Sequence, residues 1–465
     1  MKSAFDLLVI GTGAAGMGAA IRGAELGRRV AIVEAGTVGG TCVNVGCIPS
    51  KNLLAAAERY HGARAGFPGM EGCAPGLNWH ALEDQKRELV TSLRESKYLD
   101  VLDAYPGITL LRGRARLERS GAVGIDGATH RTAKVVIATG TSPWVPPIPG
   151  IDDVEVLTST TVMEIEELPE SMIVLGGSAV GLELGQMFAR MGTSVTVVEL
   201  LPRLLTAEDE DAAQELGRRL EAEGLEIVTG ARATGVEADG KSVVVRAETS
   251  GGPRSFRAER LLAATGRRAN TQGLGLDAAG VELDGPGFIR VDPGMRTSNP
   301  DVFAAGDVTG GPGFVYVAAA AGRVAADNAL SDGGRTLDLR AVPRVTFTSP
   351  QVAAVGMTPA EAHAEGLDVE VSRLGLEHVP RALVEHRTAG WIQVVAERAS
   401  GRILGVQAVG PNAAEVLGEA TLAVRLRLTI GDLTETLHPY LTWVEGLKLA
   451  AQALRMDVSK LSCCA

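Results

Sequence analysis

The sequence predicts an α/β fold in which two parallel-sheet units of the same plan are followed by an α+β region. Three observations predict it. First, Phe5–Ile10 is a short aliphatic strand that runs into Gly11-Thr12-Gly13-Ala14-Ala15-Gly16; an Ala-rich helical stretch continues to Leu26, and residues 29–33 read as a second strand ending at Glu34. Second, the plan repeats: strand Ser171–Leu175, turn Gly176-Gly177-Ser178-Ala179-Val180-Gly181, a helix through Met191, and strand Ser194–Val198 ending at Glu199. Each acid lies 23 positions after the first glycine of its turn. Third, the pattern changes after about residue 340, where strands at 391–396 and 403–409 precede helices at 413–427 and 441–454.

The composition fits this reading. Of 465 residues 58 are glycine, against a usual ~7%. No collagen period explains the excess, so it belongs in turns and where backbone approaches a ligand. The 45 basic and 56 acidic residues leave a net charge of −11, which argues against nucleic acid as the main partner. No apolar run reaches ~18 residues, so no membrane segment is expected. The opening Met1–Asp6 stretch shows no signal-peptide cleavage site, and the cytoplasm is the expected compartment.

In each glycine turn the backbone bends tightly and lets a pyrophosphate reach the helix N-terminus, where free N–H groups and the helix dipole favour negative charge. A glycine turn alone is a weak signal. Here it has the strand before it, the helix after it and the ribose-binding acid beyond it, so both units read as Rossmann-like dinucleotide-binding domains. Gly11, Gly13, Gly16 and Glu34 form the first cradle; Gly176, Gly181 and Glu199 form the second, with Ser178 where a middle glycine would stand. Glu199 is expected to accept from a ribose 2′-OH, which favours NADH over NADPH, while nearby Arg203 offers a possible offset. Ala138-Thr139-Gly140 and Ala264-Thr265-Gly266 end strands at 134–137 and Arg260–Ala263, and the Pro-rich stretch 143–150 reads as a linker. The expected domains are 1–150 with 265–335, 151–264, and 340–465.

The five cysteines are Cys42, Cys47, Cys73, Cys463 and Cys464, too few for a secreted disulfide scaffold. Four residues separate Cys42 from Cys47, and no further Cys or His is near enough in sequence to complete a zinc site. The helical pattern after Pro49 puts Cys47 at a helix N-terminus, where a thiol loses its proton readily. A thiolate is both a nucleophile for disulfide exchange and a soft metal ligand.

The segment Thr41-Cys42-Val43-Asn44-Val45-Gly46-Cys47-Ile48-Pro49-Ser50-Lys51, together with Thr297-Ser298-Asn299-Pro300-Asp301-Val302-Phe303-Ala304-Ala305-Gly306-Asp307, resembles the flavin-dependent disulfide oxidoreductases that include lipoamide dehydrogenase and glutathione reductase. The likeness runs over nearly the whole chain. It implies a homodimer whose third domain, 340–465, serves dimerisation. It also implies FAD in the first cradle, with Glu34 on the adenosine ribose, Asp307 on the ribityl chain, and Gly40, Thr41, Thr139 and Gly140 bordering it. NADPH or NADH would occupy the second cradle, bordered by Gly266. Cys47 would be the thiolate facing the flavin, Cys42 the exchanging thiol, and Lys51 with Glu183 an ion pair beside the flavin.

Within the family, the tail Cys463-Cys464, Tyr440 and Glu445-Gly446-Leu447-Lys448-Leu449-Ala450-Ala451 resemble the branch that reduces mercury(II). Adjacent cysteines make only a strained disulfide, whereas two thiols on a terminus suit capture of a soft ion. That likeness implies Hg(II) as substrate, carried by small thiols, with Cys42, Cys47, Cys463 and Cys464 as its ligands and Tyr98 and Tyr440 lining its path. Disulfide-reducing members carry a histidine oriented by a glutamate. Here Trp443 stands in place of that glutamate, so His438 is expected to lack its orienting partner and to be structural. The alternatives are a dihydrolipoamide dehydrogenase-like disulfide reductase and a non-enzymatic mercury-binding protein. Cys73 matches no motif.

Overall fold

A computed structural model describes residues 4–118, 122–331, 333–457 and 460. The Cys463-Cys464 pair lies outside the described residues. The two sequence duplicates form two parallel sheets. In the first, Phe5–Ile10 lies between Val30–Glu34 and Ala128–Ile137, with Ile108–Arg112 beyond Val30–Glu34. Ala122–Ile125 and Ala115–Leu117 extend the sheet antiparallel, and Val302–Ala304 joins Ala128–Ile137 in parallel. Leu7, Leu8 and Val9 are wholly buried, as expected of a near-continuous aliphatic strand covered on both faces.

The second sheet runs Glu226–Val228, Ser194–Val198, Ser171–Leu175, Arg260–Ala263, Val156–Thr158, all parallel. An antiparallel three-stranded sheet of Arg232–Asp239, Ser242–Thr249 and Gly252–Ala258 adjoins it. The chain passes from the first sheet to the second and back through Thr141–Pro143 and Arg267–Ala269, which pair as a two-stranded ribbon. After the return, helix Val315–Leu330 packs on helix Ala14–Glu25 of the first unit. The approach is backbone to backbone: a Cβ on Gly322 would lie 2.0 Å from the Ala15 carbonyl oxygen, and one on Gly18 would lie 2.6 Å from that of Ala319. This contact carries the Asp307 segment to the first glycine turn.

The C-terminal region is a five-stranded antiparallel sheet, Arg344–Thr346, Gln351–Gly356, Ile403–Gly410, Trp391–Glu397, Val369–Gly375, backed by helix Ala413–Leu426. The last helix is Glu445–Gln452 and starts four residues later than the periodicity suggests. Leu441 has a φ of 61°, and its N–H donates to the Glu445 carboxylate at 3.1 Å, so 441–444 form a turn before the helix starts. No helix among the described residues is long and apolar enough to cross a membrane.

Candidate active site

The two glycine turns have the same geometry. Gly11 has a φ of 105° and Gly176 one of 110°; a Cβ on either would lie 2.4 or 2.5 Å from the carbonyl oxygen of Ala138 or Ala264. Those alanines open the two Ala-Thr-Gly tripeptides, which explains their presence beside each turn. Gly16 and Gly181 lie against the carbonyls of Gly11 and Gly176, so the third glycine of each turn is a packing requirement. A Cβ on Gly13 would meet nothing closer than 3.8 Å, leaving the helix start open to a ligand.

The acids brace their turns. Glu34 accepts from the Thr12 N–H at 3.2 Å, from the Thr12 hydroxyl, and from the Gly36 N–H at 2.8 Å. Glu199 accepts from the N–H groups of Gly177 and, at 2.7 Å, Leu201. Each carboxylate thus ties the glycine turn to the end of its second strand, and both oxygens of Glu199 already have backbone partners. Arg203 donates to the carbonyls of Leu204, Leu205 and Thr206, so its guanidinium is bound to its own loop.

One cavity of about 1130 Å³ has Gly11, Gly13, Glu34, Gly40, Thr41, Cys42, Cys47, Lys51, Thr139, Gly140, Glu183 and Asp307 on its wall. The cysteines arrive there on two helices, Gly40–Val45 and Cys47–Ala65, joined at Gly46. A Cβ on Gly46 would lie 2.9 Å from the Thr41 carbonyl oxygen and 3.3 Å from the Cys42 Cα, so glycine permits the close turn that brings the two thiols together. Both are free thiols. The hydrogen bond from Cys42 holds the Cys47 pKa down to about 7 against the opposing effect of burial, and the Lys51 charge lowers it further. The same bond pushes Cys42 far above the ordinary thiol range, reinforced by burial. The pair is therefore asymmetric, with Cys47 the thiol that gives up its proton more readily and Cys42 the one that keeps it.

Lys51 Nζ lies 2.6 Å from Glu183 Oε2, and Glu183 Oε1 accepts from the Phe347 N–H at 2.8 Å. Glu183 thereby joins helix Cys47–Ala65, helix Ala179–Arg190 and the segment after Arg344–Thr346. Lys51 also stands 4.9 Å from the centre of the Phe347 ring. Tyr98 sits in a π-helical turn, Glu95–Leu99, not in the regular helix its neighbours suggest. Burial raises its phenol pKa, and the charges of Cys42 and Cys47 raise it further, which places the ring in electrostatic reach of both sulfurs.

Other sequence expectations fall outside this cavity. Gly176, Gly181, Glu199 and Gly266 belong to the second cradle, and Tyr440 is half-exposed on the 436–444 segment. The expectation that His438 lacks an orienting partner is overturned. Its Nε2 lies 2.8 Å from Glu419 Oε1 and its Nδ1 2.9 Å from the Thr436 carbonyl oxygen. The orienting carboxylate exists, but it comes from helix Ala413–Leu426, where no local sequence motif announces it; Trp443 is buried in the core. Sequence reasoning also missed Thr141, Arg267 and Phe347 on the cavity wall. Arg267 directly follows Ala264-Thr265-Gly266 and was findable, whereas Phe347 has no local signal.

The cavity fits a dinucleotide. Its wall holds the open turn at Gly13 and carboxylates at Glu34 and Asp307 for sugar or polyol hydroxyls, with two thiols at Cys42 and Cys47. Its size, about 1130 Å³, is just above the ~300–1,000 Å³ usual for small-molecule sites.

Residues 5–322 match the family model for pyridine nucleotide-disulphide oxidoreductases, and residues 342–451 match that family's dimerisation domain. The chain belongs to this family. It is 45% identical to a protein named mercuric reductase from Streptomyces lividans over 99% of this chain and 98% of the relative, and 46% identical to one from Acidithiobacillus ferrooxidans over 99% and 84%. Among solved structures it resembles the HOCl-induced flavoprotein disulfide reductase RclA from Escherichia coli, with a TM-score of 0.87 and 29% identity over 96% of this chain and 99% of that one.

Proposed function

We propose that this protein is a cytoplasmic, homodimeric mercury(II) reductase that uses FAD and NAD(P)H. The observation that carries the reading is the meeting, in one cavity, of a dinucleotide cradle with an asymmetric thiol pair. The full-length similarity to mercuric reductases directs that chemistry to mercury. The domain assignment follows: 1–150 with 265–335 for FAD, 151–264 for the nicotinamide nucleotide, and 340–465 for dimerisation.

Gly11, Gly13 and Gly16 would admit the FAD pyrophosphate, with Glu34 on the ribose and Asp307 on the ribityl chain. Bound FAD supplies two-electron transfer between nicotinamide and the thiol side of the cavity. The chain's part is to orient and to manage charge. Lys51, held by Glu183, keeps a cation beside Cys47 and so favours its thiolate. Cys42 keeps its proton until it exchanges. Hg(II) reaches the enzyme as a thiol complex, and Cys463 and Cys464 of one protomer displace the small thiols. The ion then passes to Cys42 and Cys47 of the other protomer: Cys47 binds as the thiolate, Cys42 gives up its proton as its Hg–S bond forms, and the departing tail sulfurs leave as thiolates that can take up that proton. Two electrons from NAD(P)H convert Hg(II) to Hg(0), which releases both sulfurs. Tyr98, within electrostatic reach of both sulfurs, would guide the transfer.

The test is turnover of NADH or NADPH with Hg(II) and excess small thiol, following mercury vapour. Metal-dependent nicotinamide oxidation with release of vapour is expected. An intact flavin signal without it would sink the reading, and faster turnover of lipoamide would replace mercury with a disulfide. Changing Cys463 and Cys464 to alanine is expected to impair reduction of thiol-bound mercury while sparing flavin reduction by NAD(P)H. Unchanged mercury turnover would remove the tail from the mechanism.

A further inference from the structure

Arg267 stands half-buried on the wall of the cavity that holds Cys47 and Asp307. Arg190 and Arg344, by contrast, have carboxylate partners: Arg190 pairs with Glu58 and Glu223, and Arg344 with Glu208. Arg267 has none within 4.0 Å among the described residues. Among the described residues its hydrogen bonds go to Thr141, from Nε to the hydroxyl oxygen at 2.7 Å and from an Nη to the carbonyl oxygen at 2.7 Å. Both residues lie on the two-stranded ribbon joining the sheets, so the fork is fixed in place. The Thr141 hydroxyl donates in turn to Asp307 at 3.2 Å. Burial lowers the guanidinium pKa, while the more distant charges of Asp307 and Cys47 oppose that effect.

A half-buried cation with no carboxylate in contact is costly, and one kept in a ligand cavity has the ligand's negative charge to set against it. Glu183 is already committed to Lys51, and Asp307 stays beyond salt-bridge contact. We propose that Arg267 is a positioning residue whose charge, not bound in a salt bridge, favours the reduced, more negative form of the bound flavin nucleotide. The inference rests on the FAD reading of this cavity and not on mercury as substrate. Two-electron reduction adds negative charge to the cofactor, and a fixed guanidinium on the wall lowers the free energy of that state relative to the oxidised one.

The experiment measures the midpoint potential of the flavin in purified holoenzyme by equilibration with a reference dye, with no mercury present. Arg267→Gln is expected to weaken the preference for the reduced form about tenfold, a fall of about 30 mV for a two-electron couple. Arg267→Lys, which keeps the charge, is expected to stay within about twofold of the parent. A potential unmoved in Arg267→Gln overturns the proposal. Should Arg267→Gln fail to retain FAD, Arg267→Lys decides: retention of FAD at the parental potential upholds a role for charge, and loss of FAD or a tenfold shift overturns it. Failure of the mercury reading would leave these potentials untouched, and an absent flavin signal in the parent would refute the FAD reading itself.

Discussion

Breaking the Lys51–Glu183 pair tests how far one contact unites the three regions around the site. The Nζ–Oε2 separation is 2.6 Å, with side-chain exposures of 37% and 7%. Coulomb's law at that distance gives about 1.6 kcal/mol at the permittivity of water and about 6 kcal/mol at an effective value of ~20. Solvent reaches Lys51, so the pair belongs near the lower figure, at about 2 kcal/mol. Glu183→Gln keeps an oxygen to accept from the Phe347 N–H and loses only the charge. Lys51→Met leaves a buried carboxylate facing a single N–H, and is expected to cost more, about 3 kcal/mol. The assay is a double-mutant cycle with Lys51→Met, Glu183→Gln and the double variant, using urea titration of the holoenzyme followed by tryptophan fluorescence. A coupling of about 2 kcal/mol is expected. Additivity within ~0.5 kcal/mol would refute the claim that the pair is an energetic contact.

Three further outcomes follow from the geometry. Gly16→Ala puts a Cβ 1.9 Å from the Gly11 carbonyl oxygen, so it is expected to cost about 3 kcal/mol and to lower FAD retention, read from melting temperature and bound flavin per chain. In the reduced enzyme, alkylation of Cys47 should rise through pH 7 because its lowered pKa makes thiolate the main form above that pH; a midpoint at the ordinary ~8.5 would contradict the assigned asymmetry. Lys86 is buried and binds Glu83 and Glu164, each at 2.8 Å, and the Met163 carbonyl. Lys86→Met is expected to cost about 3–5 kcal/mol near neutrality by leaving the buried Glu83 only its longer contact with the exposed Arg87, at 3.5 Å. Burial already raises the Glu83 pKa, and losing Lys86 raises it more, so the folded variant binds a proton as pH falls. The loss should therefore be smaller at pH 5 than at pH 8 by urea denaturation; equal losses would count against a buried, charged Glu83.

The sequence alone determined what depends on local spacing. A strand, a glycine turn and a helix repeat at 5–34 and 171–199 because a tight turn and close helix–strand packing admit only glycine at a few fixed offsets. The helix start at Cys47 and the redox segment were legible for the same reason. The tertiary structure decided what depends on distant residues meeting. Glu199 turned out to have both oxygens bonded to backbone N–H groups, because its strand end folds against the Gly177 turn. His438 acquired Glu419 from a helix 19 positions earlier in the chain, a pairing that no motif around Trp443 encodes. Glu183 reached Lys51 and Phe347, and Arg267 reached Thr141, only because the chain leaves the first unit, builds the second and returns. Spacing rules report on backbone a few residues apart. Charges and hydrogen bonds act through space, so the fold alone sets which carboxylate meets which cation.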